Sequence, residues 1–525
     1  MAISIKVTGL LKEMDFYPKD DLDVIKSPNV DSEIKKIYSG ARIFITGSTG
    51  FVGKVLLEKL IRSCNVAQIF LLVRKKRGKN PNERLQELLN DVVFERMLIE
   101  NKNARNLITL INGDFTLPDL GLSKNDLQII HNVDFIFHSA ATVNMGEHLK
   151  TAFYINVNGT RFLLEQAKQM KNLKAFVYIS TAYAQVMLKK IEEKFYPTEY
   201  SPEDLEKIVI SMDDAQLTAI TPHLVGKWEN TYSFTKAITE FMVSRYHPYV
   251  PVAVARPSII TSTVSEPIVG WIDNIYGATG VCAGAGAGLL KVWNCDPNAI
   301  ADLIPVDVVI NTVLSIGWYM STFRPSVDKI VFNLVSSEKK PVTWKTYMNF
   351  CENVRISDKI FCLLPVGIYS LKLVKSKLIF WFYTMFMHVF IGSICDVGMK
   401  LAGFPPKFLS GYRKIYRMNE NFGCYCLKEF RYSDGNVDGI WASMNSKDKE
   451  IFNFEQSSYT YDQYFRFVIR GLRFYMFKQP WDTLARDQKF HRALINFVLF
   501  MKIGTYMIYL WFAVVFFDFI IEKYQ

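Results

Sequence analysis

Residues 41–60, ARIFITGSTGFVGKVLLEKL, place three glycines between two apolar runs. The run before them, residues 43–45, is typical of a strand that is buried on both faces of a parallel sheet. The apolar residues after them recur at helical spacing. Gly47, Gly50 and Gly53 therefore fall on a tight strand-to-helix turn, where a phosphate can approach the backbone N–H groups. A glycine-rich turn without a ligand is the alternative, but the flanking strand and helix favour a dinucleotide site.

A second buried strand is predicted at residues 69–73, and the basic run RKKR follows it at residues 74–77. NAD-binding units usually carry an acidic residue in this region, which binds the ribose 2′-hydroxyl. Arg74 instead offers a planar guanidinium that can pair with a 2′-phosphate. A solvated basic loop is the alternative. The run favours NADPH as the cofactor.

Further apolar segments alternate with helical patterns along the chain. They are LITLINGDF (107–115), DFIFHSAAT (134–142) and AFVYISTAYA (175–184). This βαβ succession predicts an α/β fold of the Rossmann type, a doubly wound parallel sheet that binds its ligands along the carboxyl edge of the strands.

Tyr232 and Lys236 are four residues apart and would share one face of a helix. A neighbouring ammonium favours the phenolate, so we expect Lys236 to bring the pKa of the Tyr232 phenol closer to neutrality. Ser180 and Thr181 end a predicted strand, where a hydroxyl can donate to a substrate carbonyl oxygen. Because Tyr-x-x-x-Lys is common by chance, a surface pair is the alternative.

Together, the glycine turn, the Ser180–Thr181 strand end and Tyr232-x-x-x-Lys236 resemble an extended short-chain dehydrogenase/reductase. More particular segments, such as HSAATV, NVNGT, QMKNLKAFVYISTAYA, NTYSFTKA and EPIVGWIDN, are similar to animal fatty acyl-CoA reductases in order and spacing. The resemblance is continuous from about residue 33 to residue 311 and persists through residues 388–417. It implies NADPH-dependent reduction of a long-chain fatty acyl-CoA to a primary alcohol, through an aldehyde, by two hydride transfers.

The resemblance also implies roles for individual residues. Thr181, with Ser180 second, matches the catalytic hydroxyl, Tyr232 the proton donor and Lys236 its partner. The implied cofactor-binding residues are Gly47, Ser48, Thr49, Gly50, Phe51, Val52, Gly53, Arg74, Asp114, Ala140, Ala141, Thr142, Asn156, Tyr232, Lys236, Pro257 and Ser258. The residues assigned to the substrate side are Trp271, Asp273 and Asn274.

Cysteine and histidine placement bounds the chemistry. No cysteine lies between Cys64 and Cys282, the interval that holds the candidate catalytic strand and helix. We therefore expect direct hydride attack on the thioester without an acyl-enzyme, since covalent catalysis would need a thiol at the site. The eight cysteines show no disulfide framework and indicate reduced thiols facing the cytosol. His388 has no second ligand at metal-binding spacing, so no metal site is expected.

Composition points to acidic partners and to a membrane. The chain has 525 residues, of which 50% are hydrophobic and 14% aromatic, and a formal charge of +11. This charge suits NADPH, the phosphates of coenzyme A or anionic lipid. The basic residues are scattered and no nucleic-acid recognition module is visible, so nucleic acid is not an expected partner. The sequence leaves open whether the chain forms a homo-oligomer.

Two apolar segments near the C-terminus suggest contact with membrane lipid. Residues 503–521 are nearly continuously apolar and predict a transmembrane anchor, with a buried core helix as the alternative. Arg486, Lys489 and Arg492 precede this segment and favour a cytosolic catalytic part. The endoplasmic reticulum is favoured, and peroxisomes and lipid droplets are the other candidate membranes. Residues 378–395 are predicted to lie in the membrane interface or to be buried, rather than to span the bilayer.

The predicted organisation has four parts. Residues 1–40 form an N-terminal extension, and residues 41–345 form the NADPH-binding reductase domain. Residues 346–480 form a smaller, mostly helical C-terminal domain, and residues 493–521 are a hydrophobic region that contains the membrane anchor. Two rival functions stay open at this point. One is a dehydrogenase, reductase or epimerase acting on a sterol or nucleotide sugar, and the other is a non-catalytic NADP-binding scaffold on a membrane.

Overall fold

The computed structural model describes residues 30–358, 360 and 368–524. At its centre is a seven-stranded sheet in the order β11-β7-β5-β4-β1-β2-β3, in which all pairs of neighbours are parallel. Its strands in chain order are β1 (Arg42–Thr46), β2 (Gln68–Val73), β3 (Ile108–Asn112), β4 (Phe135–His138), β5 (Ala175–Ile179), β7 (Val252–Pro257) and β11 (Val331–Leu334). The predicted α/β, doubly wound fold is confirmed.

Helices cover both faces of this sheet. Those of the N-terminal half are α1 (Glu33–Tyr38), α2 (Phe51–Ser63), α3 (Pro81–Leu89), α4 (Glu95–Glu100), α5 (Lys124–Ile130), α6 (Leu149–Ala152), α7 (Gly159–Ala167), α8 (Pro202–Ser211), α9 (Asp214–Val225) and α10 (Thr231–Ser244). A π-helical turn, Phe153–Asn158, joins α6 to α7. Thr160 of α7 and Lys236 of α10 contact one face of the sheet, while the helix Val306–Phe323 packs on β5 and β7.

The second half of the chain is mainly helical. Its helices are α11 (Gly277–Gly286), α12 (Val306–Phe323), α13 (Trp344–Ser357), α14 (Lys377–Tyr383), α15 (Ile391–Leu401), α16 (Phe408–Cys426), α17 (Gly435–Ser443), α18 (Ser446–Ile451), α19 (Tyr461–Gly471) and α20 (Leu484–Tyr524). Two further π-helical turns, Thr384–Phe390 and Leu472–Met476, follow α14 and α19. Residues 283–290, AGAGAGLL, contain three glycines, and the first four residues of this stretch form the end of α11.

Three small parallel strand pairs join distant parts of the chain. They are β8 (Ile259–Thr261) with β10 (Leu303–Pro305), β9 (Val292–Asn294) with β12 (Lys372–Val374), and β6 (Lys190–Ile191) with β13 (Arg431–Tyr432). One continuous hydrophobic core therefore includes residues from both halves of the chain.

Packing is continuous across the predicted limit between residues 40 and 41. Ser32, just before α1, donates to the Asp448 carboxylate at 2.6 Å, and the Tyr38 hydroxyl donates to the Leu314 carbonyl at 2.8 Å. Residues 30–40 are thus packed on the body of the protein, and residues 1–29 of the predicted extension lie outside the described residues. The division at residues 345 and 346 stays a prediction.

Within the described residues, three helical segments are long and apolar enough to cross a membrane. Val306–Phe323 is 78% buried and is a core helix of the sheet. Lys377–Leu401 and Trp481–Phe516 are instead largely exposed. The last segment lies mostly within α20, which includes the backbone of the predicted anchor at 503–521. The fully buried pair of Arg473 and Asp487, with an N–O distance of 2.7 Å, fixes the start of this helix to the body of the protein.

A buried ion pair connects the sheet to α10. The Arg256 guanidinium on β7 contacts both oxygens of Glu240 at 3.0 and 2.7 Å. It also donates to the carbonyls of Glu192 and Lys194. Both charged side chains are almost completely inaccessible to solvent. Because a buried charge is tolerated only when it is paired and hydrogen-bonded, this pair fixes the position of α10 on the sheet.

Glu240→Gln tests the importance of this pair. We expect it to lower the free energy of unfolding by about 3–5 kcal/mol, because the buried guanidinium loses its counter-charge. The matched control is Glu203→Gln, in the exposed pair with Arg245, for which we expect about 1 kcal/mol or less. Thermal unfolding in detergent, followed by tryptophan fluorescence, compares the two variants. Equal apparent Tm values would show that the buried pair contributes no more than a surface pair.

Candidate active site

The sequence-predicted site residues lie at one edge of the central sheet. Because the strands are parallel, the residues that follow each strand meet at the carboxyl edge. In sheet order these are Ser258 after β7, Thr181 after β5, Ala140 after β4, Gly47 after β1 and Arg74 after β2. Four strand spacings of about 4.8 Å separate the two ends of this row, about 19 Å along the sheet. The edge therefore forms an elongated site across the point where the strand order reverses.

The turn after β1 has room for backbone only. Gly47 has a φ of 76°, and a β-carbon there would lie 2.6 Å from the Ser139 Oγ and 2.7 Å from the Ala140 backbone nitrogen. A β-carbon at Gly53 would overlap the Gly47 carbonyl oxygen. Helix α2 begins immediately after this turn, at Phe51. The first turn of α2 thus points its free N–H groups and the positive end of the helix dipole at the edge of the sheet.

Three buried hydroxyls at this edge lack partners. Ser48, Ser180 and Ser258 follow β1, β5 and β7, and none of their hydroxyl oxygens has a hydrogen-bond partner among the described residues. A buried polar group without a partner costs about 1–3 kcal/mol. An extended polar ligand along the sheet edge would satisfy all three. The residues present therefore fit a dinucleotide cofactor, with the glycine turn facing its phosphates.

Basic residues gather at the end of β2. The Arg74 guanidinium lies 3.5 Å from the Asp114 carboxylate. Arg84, on α3, donates to the Arg74 carbonyl at 2.7 Å and to the Thr49 hydroxyl at 3.0 Å. Burial, followed by the charge of Arg74, lowers the pKa of Arg84. Sequence reasoning missed Arg84, because its approach to Arg74 depends on how α3 folds back onto the strand.

Polar residues brace the loop that follows β4. His138 lies between the Thr46 and Thr160 hydroxyls, at 2.6 and 2.8 Å, and burial lowers its pKa to about 3. The neutral ring joins β1, β4 and α7. Asn156, in the π-helical turn, accepts from the Thr142 backbone N–H at 3.0 Å. It also donates to the Thr235 hydroxyl at 2.9 Å. Asn156 thus links the loop to α10, and its predicted contact with the cofactor stays a prediction.

The candidate catalytic side chains come together beside β5. Tyr232 and Lys236 lie on α10, as predicted, and the Tyr232 phenol interacts with the Thr181 hydroxyl. The Thr181 Oγ1 accepts the backbone N–H of Tyr183 at 3.2 Å, which orients the hydroxyl. Lys236 is 2% exposed, donates to the Ile179 carbonyl at 2.9 Å and lies 4.6 Å from the centre of the Tyr178 ring.

Burial controls the protonation of this group. It raises the pKa of Tyr232 to about 12. It also lowers the pKa of Lys236 to about 7, although the Glu240 charge acts to raise the pKa of Lys236. The expectation that Lys236 lowers the pKa of the phenol is therefore wrong in this structure, because desolvation outweighs every other effect on Tyr232. A phenol with a raised pKa keeps its proton at neutral pH, which suits a proton donor.

The C-terminal half contributes to the same site. The Tyr425 hydroxyl, at the end of α16, lies 2.8 Å from the Ser233 hydroxyl and accepts from the Asn230 amide at 3.0 Å. Asn230 is the N-cap of α10, the helix that carries Tyr232. Tyr425 therefore holds the start of this helix, from a position 192 residues away from Ser233 in the sequence. No local pattern in the sequence indicates this contact.

A cysteine also reaches this region, although no cysteine lies between Cys64 and Cys282 in the sequence. The Cys424 sulfur lies 3.9 Å from the Asn230 amide nitrogen, two residues before Tyr232. Burial raises the pKa of the Cys424 thiol to about 12. The thiolate is the nucleophilic form, so this thiol is not activated at neutral pH. The seven cysteines among the described residues are free thiols.

The residues predicted for the substrate lie beside the glycine turn. The Trp271 ring stacks on Phe51 at 5.3 Å, and its indole nitrogen donates to Asp91 at 3.2 Å. Lys54 of α2 pairs with Asp91 and Asp273 at 2.6 and 3.0 Å. These contacts brace the first turn of α2. Trp271 is only 1% exposed, and the substrate roles of Trp271, Asp273 and Asn274 stay predictions.

The parallel sheet, the glycine turn and the Tyr-Lys helix beside strand-end hydroxyls define a nicotinamide-dependent oxidoreductase of the short-chain dehydrogenase/reductase class. Solved structures agree on the fold. The terminal R domain from the myxalamid PKS-NRPS biosynthetic pathway has a TM-score of 0.54 and 19% identity, covering 84% of this chain and 92% of that one. The reductase domain of a nonribosomal peptide synthetase from Mycobacterium tuberculosis also has a TM-score of 0.54, with 17% identity. That match covers 85% of this chain and 96% of the other chain.

Sequence comparisons establish the family. One family model described as male sterility protein, for the NAD-binding part, matches residues 45–313, and a second with the same description matches residues 387–479. Fatty acyl-CoA reductase wat of Drosophila melanogaster is 34% identical, covering 91% of this chain and 92% of its own length. Fatty acyl-CoA reductase 1 of Rattus norvegicus is 35% identical, with 88% and 90% covered. The chain belongs to the fatty acyl-CoA reductase family.

Gly47→Ala tests whether the close approach at the turn serves cofactor binding. We expect it to abolish measurable binding of NADPH, because the added β-carbon would displace the turn from Ser139 and Ala140. Gly78→Ala is the matched control, since Gly78 has a φ of 77° and nothing within 4 Å of an added β-carbon. Both variants carry the backbone strain of about 1–2 kcal/mol. Cofactor fluorescence titration distinguishes them, and retained binding in Gly47→Ala would contradict the assignment of this turn.

Proposed function

We propose that this chain reduces a long-chain fatty acyl-CoA to the corresponding primary alcohol, through an aldehyde, with NADPH as the reductant. The observation that carries the proposal is the position of α10, which bears Tyr232 and Lys236, at the end of β5, where Lys236 donates to the Ile179 carbonyl at 2.9 Å, two residues before Thr181. The names of the relatives from Drosophila melanogaster and Rattus norvegicus support an acyl-CoA substrate. Family membership disfavours the rival functions on sterols or nucleotide sugars and the scaffold role.

The proposed roles follow from the contacts of each side chain. The Thr181 oxygen accepts a backbone N–H, so its proton is free to be donated to the substrate carbonyl oxygen as negative charge develops there. Tyr232 donates a proton to that oxygen. Lys236 orients the ligand with the N–H groups that Ile179 does not use. When bound, NADPH supplies the hydride. The first reduction releases coenzyme A as the thiol and leaves an aldehyde, and the second gives the alcohol.

Direct attack of hydride on the thioester, without an acyl-enzyme, is part of the proposal. The Cys424 thiol lies at the N-cap of α10, the helix that carries Tyr232. Its pKa of about 12 keeps it protonated at neutral pH. A protonated thiol is a weak nucleophile.

Preference for NADPH over NADH is supported by the basic group at the end of β2. Arg74, with 42% of its side chain exposed, and Arg84 lie together at the end of β2, and we assign them to the 2′-phosphate of the cofactor. Asp114 lies between Arg74 and the Thr116 hydroxyl, and we assign it to the adenine side of the cofactor.

The proposed organisation keeps the predicted parts. Residues 41–345 form the reductase domain, residues 346–480 form the C-terminal domain, and residues 503–521 anchor the chain in a membrane with the catalytic body in the cytosol. The exposed apolar surface of α20 supports the anchor. The excess of basic residues before the anchor supports the orientation. The endoplasmic reticulum stays a prediction.

Tyr232→Phe tests the catalytic proposal. We expect turnover of a long-chain acyl-CoA to fall by about 10²–10⁴-fold, because the proton donor is lost, while NADPH binding is retained. The wild-type chain should consume two NADPH for each alcohol released, measured by cofactor absorbance and by product analysis.

Cys424→Ser is the control, since direct attack uses no thiol. The variant should keep the turnover of the wild-type chain. An acyl-cysteine trapped in the wild-type chain would contradict direct hydride transfer. Unchanged turnover in Tyr232→Phe would remove the role assigned to the phenol.

Arg74→Ala combined with Arg84→Ala tests cofactor preference. Each charged hydrogen bond contributes about 1.5–3 kcal/mol, so we expect the KM for NADPH to rise by at least about tenfold and the KM for NADH to change little. Arg96→Ala, an exposed arginine paired with Glu100, is the control. A parallel rise in both KM values would show that the arginines act on the fold of the turn rather than on the phosphate.

A further inference from the structure

The segment Lys377–Leu401 is one continuous helical segment with two different faces. It consists of α14, the π-helical turn Thr384–Phe390 and α15. Its buried residues follow one another at intervals of four and form an inner stripe: Phe380, Thr384, His388, Gly392 and Asp396. The outer face is apolar and exposed, and includes Trp381, Phe382, Phe386, Phe390, Ile394 and Val397.

The inner stripe is fixed to the body of the protein by specific contacts. The His388 Nε2 accepts the backbone N–H of Lys291 at 3.0 Å, and its ring stacks on Tyr412 at 4.6 Å. The Asp396 carboxylate accepts the first N–H groups of α16, from Lys407, Phe408 and Leu409 at 2.8–3.0 Å. His388 and Asp396 thus use their polar groups on the inside.

The π-helical turn keeps the stripe on one side. On an α-helix, each step of four residues advances about 40° beyond a full turn, so four such steps would move the stripe by about 160°. The wider π turn holds more residues per turn and reduces this drift. The same geometry keeps the exposed apolar side chains together on the opposite side.

The charges near the outer face along the chain are mostly basic, although Lys375 pairs with Asp296 at 2.6 Å. Residues 378–395 contain no charged side chain, and the one acidic residue between positions 372 and 414 is the inward-facing Asp396. Basic residues lie at both ends of the helix: Lys372, Lys375 and Lys377 at one end, and Lys400 and Lys407 at the other. An apolar face with aromatic residues and a cationic rim is typical of a helix that lies in a membrane interface.

We propose that the outer face of Lys377–Leu401 lies in the surface of the bilayer that α20 enters, with its axis along the membrane plane. It does not span, because both ends are tied to the same body. Just before the helix, β12 pairs with β9, and near its end Asp396 caps α16. The occupant is lipid, because α20 supplies an exposed apolar helix of spanning length and so brings a bilayer to this chain.

The proposed membrane surface is connected to the catalytic helix. Helix α16 starts at the Asp396 cap and extends about 26 Å to Tyr425 at 1.5 Å per residue. There, Tyr425 contacts Asn230 and Ser233 at the start of α10. A single rigid helix thus sets the height of the active site above the membrane.

The test uses the full chain in sealed vesicles of phosphatidylcholine and phosphatidylserine. An environment-sensitive fluorescent amino acid is placed at Phe386 and, as the matched control, at Ile210, whose exposed fractions are 65% and 66%. We expect the emission at Phe386 to be shifted to the blue and quenched several-fold more strongly than at Ile210 by lipids with spin labels about 5–10 Å deep. Neither readout depends on turnover, so the proposed function can fail without affecting this result.

A second measurement locates the two ends of the helix. Lys377→Cys and Lys400→Cys should both react with a membrane-impermeant maleimide added to the side of the catalytic body, as read by peptide mass spectrometry. Protection of one end would indicate a spanning helix and overturn the proposal. Emission at Phe386 equal to that at Ile210 would overturn it too. A blue shift that lipid quenchers do not affect would indicate a protein partner, such as a second copy of the chain.

Discussion

The structure depends on a contact that leaves no space for a side chain, between the turn after β1 and the residues after β4. Strands β1 and β4 stay paired up to Thr46 and His138, and beyond them the backbone of Gly47 comes within contact of Ser139 and Ala140. This approach directs the chain into α2 and opens the edge of the sheet on both sides. The neutral His138 lies between the Thr46 and Thr160 hydroxyls and stabilises the ends of β1 and β4.

Candidate catalytic groups from one half of the chain are held in place by contacts from the other half. Tyr232, Thr181 and Lys236 belong to the α/β part, but Tyr425 and Cys424 reach the N-cap of α10 from the C-terminal part. The ion pair of Lys428 with Glu229 lies at the same junction. The second region thus completes the packing around the first.

Local patterns in the sequence predicted most of the fold and the strand-end residues of the site. Strand 69–73 and the helix with Tyr232 and Lys236 were predicted correctly, because buried strands and helical spacing are local properties. Contacts of Arg84, Tyr425 and Cys424 were not predictable, since they join distant segments. The sign of the shift in the pKa of Tyr232 was missed for a related reason, because desolvation depends on the whole surrounding fold. Trp271 belongs to a recognised segment, but its stacking on Phe51 could not be read from that segment.

The four-residue stripe of Lys377–Leu401 has a consequence for how this region can diverge among relatives. An inserted or deleted residue would rotate everything beyond it by about 100°, which would turn the Asp396 carboxylate away from the start of α16. Exchanges among leucine, phenylalanine and methionine on the opposite side would leave those bonds in place. The segment should therefore drift freely in composition while its length is conserved by natural selection.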